Sequence, residues 1–463
     1  MRLRDRSHFP DRPQAISLIA EDTRVQEIYD DRSDMLTTSV ETFTVRLVVA
    51  ALGVGISILI ARALGPEGRG AYVYPTVLAS LLITTLHASL EQANVHLFSG
   101  RQFSLRDLAA NSGLVASVVA GISLLVTGLL FVLRPSGTAA VPPYVLLAAL
   151  MVVPFTIHQI YLTGLLQITH RIGVANRVAL VSAGAQAGAI GVLFVTGRLT
   201  VLAVVLVASG VGILHWALTA RVLGGVCRLQ PQYIPDLFRR ALRFGLGLHL
   251  GLVMLFLQLR ADVFLLERFS GFAAVGIYSL AVMLAESIWM VTDAVAVACL
   301  PHQVDASTNE AGRITLRACR FNILLALLGA AGLALASYPI VRLFYGAPFL
   351  PAIPALLALL PGVVCYSAQR VCGAYLLRLN CPLRMSAILG GAVIVNLGLN
   401  LLWIPRWGIV GAALASTASY ALSATLFVAW AVRVSGLGLK EAVAWAPEDS
   451  RAIRRALSLR AGH

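Results

Sequence analysis

The chain has 463 residues, of which 58% are hydrophobic and only 13% charged, with a mean hydropathy of +0.82 and a formal net charge of +14. These values exclude an ordinary soluble domain, and apolar runs of about 20 residues, enough for a helix to cross ~30 Å of hydrocarbon, recur along the chain. Lipid offers no partner to a free N–H or C=O and the runs do not alternate, so the spanning elements are helices and not barrel strands.

The predicted architecture is all-α and polytopic. Residues 1–36 form a mixed-charge cytoplasmic tail that does not resemble a cleavable signal. Twelve spans follow, near 37–61, 71–98, 108–133, 143–167, 178–196, 199–221, 244–268, 275–300, 317–341, 352–378, 384–404 and 409–433. The first six make an N-lobe (37–221), a cytoplasmic linker covers 222–243, and the last six make a C-lobe (244–433). A basic tail, 434–463, carries Arg451, Arg454, Arg455 and Arg460 toward the anionic inner leaflet.

The 36 basic residues are 35 arginines and Lys440. With the N-terminus inside, 26 fall in inside segments and seven outside (Arg62, Arg69, Arg134, Arg198, Arg268, Arg342 and Arg406), while Arg46, Arg260 and Arg370 fall within spans. This bias places both termini in the cytoplasm. Basic residues scattered over loops beside lipid headgroups argue against a nucleic-acid partner. The six cysteines form no Cys-x-x-Cys pair and read as small apolar residues.

The turn after the first span returns 206 residues later. "ARALGPEGRGAYVYPTVLAS" (61–80) over "ERFSGFAAVGIYSLAVMLAE" (267–286) matches Arg62 with Arg268, Gly65 with Gly271, Gly70 with Gly276 and Tyr72 with Tyr278, with Leu78 and Ala79 also matched. Each copy joins the first helix of a six-helix block to the second. An even number of spans per block gives both copies one orientation, hence a parallel repeat about a pseudo-twofold along the membrane normal. Gly65 can end one helix and Pro66 start the next, with Arg62 and Arg69 reaching headgroups and Tyr72 and Tyr74 at the interface.

The set Arg62-x-x-Gly65-Pro66-Glu67-x-x-Gly70-x-Tyr72, with Asp262 ahead of Gly276-Ile277-Tyr278, resembles the polysaccharide-transporter branch of the multidrug/oligosaccharidyl-lipid/polysaccharide exporter superfamily. The resemblance implies a flippase of O-antigen or exopolysaccharide export in a bacterial inner membrane. Its cargo would be a polyprenyl-diphosphate-linked glycan moved from the cytoplasmic to the periplasmic leaflet. It implies contact with membrane lipids and with polysaccharide polymerase or glycosyltransferase partners, and no cofactor. Two alternatives within the superfamily are a cation-coupled multidrug exporter and a lipid II flippase, the latter ordinarily carrying two additional helices.

Ionisable residues deep in spans are costly and mark candidate sites. Arg46, Arg260 and Arg370 are the candidate substrate-binding residues, because a guanidinium pairs phosphate oxygens bidentately and keeps its proton. Glu91, Asp262, Glu286 and Asp293 are candidates for ion coupling or for charge partnership with those arginines. Arg46 with Glu91 and Arg260 with Glu286 are the expected pairs, and Arg370 is expected to snorkel to the inner surface. Thr84, His87, Glu91 and Asn94 recur at helical spacing and read as one polar face of the second span. His249 lies near the line of Arg260 in the seventh span and reads as a packing residue. Asn396 and Asn400 share a face that glues helices. No Walker loop, metal-spaced set or Ser-His-Asp candidate is present, and the outside loops, of about ten residues or fewer, leave no room for polymerase or ligase chemistry. An enzyme is therefore not expected.

Overall fold

The computed structural model describes residues 35–133, 141–169, 171–227, 230–305, 308–379 and 381–437. Most of both expected tails lies outside the described residues. The helices, in chain order, are α1 (Met35–Leu86), α2 (Leu90–Ser99), α3 (Leu105–Leu133), α4 (Pro143–Leu150), α5 (Val153–Ile168), α6 (Ile172–Val195), α7 (Val201–Gly224), α8 (Pro235–Asp305), α9 (Thr308–Ile340), α10 (Ala352–Leu377) and α11 (Pro382–Ser435). A π turn (Val341–Tyr345) and a 3-10 turn (Ala347–Phe349) join α9 to α10. Among the described residues no strand is present. Among the described residues nine helices are long and apolar enough to cross a membrane.

Three of these are too long for a single crossing. At 1.5 Å per residue, the 52 residues of α1 would run about 78 Å if straight, more than twice a hydrocarbon core. Each doubles back at a glycine with positive φ: Gly65 (φ 65°, ψ −173°) in α1, Gly271 (φ 75°, ψ −179°) in α8 and Gly408 (φ 54°, ψ −129°) in α11. The repeat positions Gly65 and Gly271 thus hold almost the same backbone, in a region where glycine alone carries no Cβ penalty. Each of the three helices has a first limb before its glycine and a second limb after it.

Helices α1–α7 come from the first half of the sequence and α8–α11 from the second, and the two sets are called halves below. The second half is built by α8, α10 and α11 on one another, with α9 against α10; in the first half α1 packs on α6 and α3 on α5. The halves meet chiefly where α1 lies against α8. Outward-facing apolar side chains such as Leu335 (86% exposed) and Val195 (85%) fit a hydrocarbon surround and not water. Cys319 and Cys372 meet sulfur to sulfur at 3.3 Å inside the second half. Burial pushes the Cys227 thiol up, keeping it protonated and inert.

The expected span 71–98 is interrupted. Between α1 and α2, Ala88 and Ser89 both take φ 52°, so Thr84 and His87 do not share a continuous face with Glu91 and Asn94. Carbonyls at the break take donors from distant helices: the Tyr161 hydroxyl donates to His87 O at 2.8 Å, beside Leu90 N at 3.3 Å, and His249 Nε2 donates to Thr85 O at 2.9 Å. This substitution of tertiary for helical hydrogen bonds is what allows broken backbone at membrane depth.

Candidate functional site between the two halves

Which face of the second half looks at the first is fixed by contacts near the Gly65 turn. Arg69 of α1 donates from Nε to Ser279 Oγ at 3.0 Å and places Nη2 4.0 Å from Met283 Sδ. Ser279, Met283, Glu286 and Asp293 follow at spacings of four, three and seven, one stripe of α8 about 80° wide. Glu286 and Asp293 therefore face the first half. Arg260 is one turn before Phe264, whose ring meets Tyr74 of α1 edge-on at 5.5 Å, so Arg260 looks the same way.

Two guanidinium–carboxylate forks occupy this face. Arg260 donates from Nη1 to Glu286 Oε1 at 2.6 Å and from Nη2 to Oε2 at 2.7 Å. Arg370 of α10 donates from Nη2 to Asp293 Oδ2 at 2.6 Å and from Nε to Oδ1. Its guanidinium carbon lies 5.4 Å over the Trp289 ring and 5.9 Å from that of Tyr366. The pair Arg260–Glu286 is the expected one. Arg370 does not snorkel to a surface, because Asp293 and two aromatic rings offer it both charge and cation–π compensation in place. The side chains of Arg260 and Glu286 keep 29% and 19% exposure, and those of Arg370 and Asp293 31% and 39%. Both forks thus keep part of their surface accessible.

Arg46 is exposed on the first limb of α1 and makes no ion pair among the described residues. It lies eleven residues before Ser57, about 20° away around the helix, and Ser57 accepts from Arg69 at the seam between halves (Oγ 2.7 Å). Among the described residues Arg46 is joined to neither fork by a hydrogen bond or ion pair. It does not meet Glu91, whose recorded partner is His87 (Nε2 to Oε1, 3.7 Å). Asp262 is brought to neither group. Only 1% exposed, it accepts from Tyr278 Oη and from Ser416 Oγ (3.1 Å) inside the second half. Gln258, on its side of the helix, donates to Ser419 and Ser423 of α11. Asn400 donates to Asn396 at 2.9 Å, both buried. Among the described residues no cluster of His, Cys, Asp and Glu could hold a metal.

The halves are sealed at the Gly65 end. A Cβ on Gly70 would fall 1.8 Å from Phe272 O, and one on Gly276 1.9 Å from Pro66 O, so the two repeat glycines let the two copies of the turn touch backbone to backbone. Arg69 does not reach headgroups: it is 6% exposed, spread over the hydroxyls of Ser57 and Ser279. Tyr74, 4% exposed, packs between Phe264 and Phe272 and not at an interface. Arg62 donates to Phe344 O at 2.8 Å and to Leu343 O, tying α1 to the π turn. A cavity of about 850 Å³ opens beside it, lined by Arg62, Arg342, Tyr345 and Pro348 among others, away from the forks. Sequence reasoning misplaced Arg69 at the headgroups and missed Trp289 and Tyr366. The last two carried a signal, since Trp289 lies between Glu286 and Asp293 and Tyr366 one turn before Arg370; the burial of Arg69 depends on a partner helix more than 200 residues away and carried none.

A helical bundle with spanning helices broken at membrane depth and charged forks inside it resembles the architecture of membrane transporters. Residues 38–305, more than half of the chain, match the polysaccharide biosynthesis protein family, and the chain belongs to it. Its fold is that seen in solved structures of the multidrug/oligosaccharidyl-lipid/polysaccharide exporter (MOP) superfamily. The structure is similar to the lipid II flippase MurJ in an inward closed conformation (TM-score 0.69, 14% identity, covering 88% of this chain and 89% of that one). It is also similar to an inward-facing multidrug resistance MATE family transporter (TM-score 0.66, 15% identity, 85% and 98%). A MOP superfamily transporter from Pyrococcus furiosus, described as having a binding pocket of reversed polarity, aligns with TM-score 0.62 at 14% identity over 89% and 98%. No curated protein matches the chain by sequence.

Proposed function

We propose that this protein is a flippase that carries a polyprenyl-diphosphate-linked oligosaccharide across a bacterial inner membrane, for O-antigen or exopolysaccharide export. Each limb of α1, α8 and α11 crosses separately, giving twelve crossings in two lobes, with both termini cytoplasmic and the Gly65 end periplasmic. The lobes rock about the space between them, so that the headgroup travels inside while the prenyl tail stays in lipid.

What supports this reading is the pair of partly exposed arginine forks, with Arg46 exposed and in no ion pair among the described residues. Two phosphates cannot enter a low-dielectric space without cations, and each guanidinium offers a planar donor pair to phosphate oxygens. At rest Glu286 and Asp293 hold Arg260 and Arg370 in place; cargo phosphate takes over the donors, and one such contact is worth about 4 kcal/mol at 4 Å with an effective dielectric near 20. A lipophilic drug cation would instead require free carboxylates, and here both are occupied by arginine. The test is rescue of surface glycan in a strain lacking its own flippase. Wild type is expected to restore it and the Arg46→Ala, Arg260→Ala, Arg370→Ala triple variant is not; restoration by the triple variant would remove the site.

A further inference from the structure

The break in the second span holds a second cluster, which the forks do not use. Ala88 and Ser89 are left-handed without being glycine, an unfavourable conformation that tertiary contacts must hold. Interrupted spanning helices are also where membrane transporters place ion and substrate sites. His87 Nδ1 lies 3.0 Å from Ile83 O and 3.1 Å from Thr84 O, so it carries the ring hydrogen and leaves Nε2 as the basic nitrogen, 3.7 Å from Glu91 Oε1. His249 Nε2 faces Thr85 O and so carries its own hydrogen, while Nδ1 accepts from Ser89 Oγ at 3.2 Å. The two imidazoles meet edge-on at 5.0 Å, one from each half.

The charge balance of this cluster is incomplete. Glu91 Oε2 is buried with no hydrogen-bond partner, and Glu91 pairs with no arginine among the described residues. Gly164 of α5 closes over it, since a Cβ there would lie 2.9 Å from Glu91 Cβ. The titratable groups facing the site are His87 and Glu91 themselves, Tyr161 from α5, whose hydroxyl is already committed to His87 O, and His249 from α8. His249 also fastens the two halves at this end, through Thr85 and Ser89, with Gly245 set so close that a Cβ would fall 2.4 Å from Ala88 O.

We propose that His87, Glu91 and His249 form a proton-binding site straddling the two lobes, and that proton uptake there releases the cytoplasmic seam. This rests on the alternating-access reading above. A first proton from water bonds to His87 Nε2 and faces Glu91 Oε1, making an ion pair within the first half. A second bonds to His249 Nδ1, displacing the hydrogen that Ser89 donates. The second imidazolium has no carboxylate left to it and repels the first across the seam.

The test uses the full-length protein in lipid nanodiscs, with native cysteines replaced and spin labels at Ser99→Cys and Leu383→Cys, read by electron–electron distance measurements near pH 5 and pH 8, either side of the usual histidine range of about 6.5. One short distance is expected near pH 8, and a second, longer population near pH 5. The His87→Gln, His249→Gln double variant is expected to lose the acid population. Ser89→Ala, which keeps both imidazoles, is expected to show the longer population already near pH 8. Identical distributions at both pH values, an acid shift that survives the double variant, or no change in Ser89→Ala would each overturn the proposal. Glycan rescue by the same unlabelled wild type separates the two readings: failed rescue with an intact pH response overturns the flippase and leaves the latch standing.

Discussion

Arg260 and Arg370 meet one difficulty in one way: each cation inside the membrane is given a carboxylate two hydrogen bonds wide, on the other limb of α8 for Arg260 and on a neighbouring helix for Arg370. Removing one member of such a pair strands the other, whereas removing both does not. Glu286→Ala is therefore expected to destabilise the protein by about 1–3 kcal/mol, less than for a sealed pair because solvent screens these side chains, and Arg260→Ala in the same chain is expected to recover most of that loss. Thermal unfolding in detergent reads the stability and glycan rescue the transport, which the double variant is not expected to regain. Arg370 adds a stack on Trp289 and Tyr366 that lysine cannot reproduce. Arg370→Lys, though it keeps the charge, is expected to reduce export about tenfold or more, equivalent to the loss of one charge-assisted hydrogen bond. At this scale the sequence exposes which residues are anomalous, since an arginine or glutamate in an apolar run is visible at once. It does not expose the partners: Arg370 and Asp293 are 77 residues apart, and Glu91 goes to His87 where Arg46 was expected.

The informative elements are the broken helices. Gly65 and Gly271 were legible because the turn chemistry of glycine repeats in both halves, and the backbone they adopt is nearly the same. Gly70 and Gly276 were legible as matched residues, but their use is not, because it depends on two turns meeting across the molecule. Gly70→Val is expected to hold the Gly65 end open: the side chain would collide with Phe272 O, a backbone atom that no rotamer change can move. A cysteine pair bridging Glu67 and Ala273 should then cross-link poorly in the variant and efficiently in the parent, with expression unchanged; equal cross-linking in both would show that the close approach is not required. The break at Ala88–Ser89 lay beyond sequence reading. The segment Leu86-His87-Ala88-Ser89-Leu90 contains neither glycine nor proline, and what breaks it is a set of donors, Tyr161 and His249, supplied from distant helices.

For the whole molecule, composition and hydropathy gave the class, and the repeat gave the division into halves. What neither could give is the register of one half on the other. That register closes the Gly65 end through Arg69, Gly70 and Gly276, fastens the opposite end through His249, and leaves the two forks between those contacts. The distribution suits an anionic headgroup held midway between two seams that open in turn. The most direct measurement is translocation in sealed proteoliposomes loaded with a fluorescent polyprenyl-diphosphate oligosaccharide, followed by quenching from outside. The account predicts that wild-type protein exposes the inner-leaflet pool to the quencher while the Arg46→Ala, Arg260→Ala, Arg370→Ala protein, equally reconstituted, does not. Equal rates with and without the three arginines would contradict it.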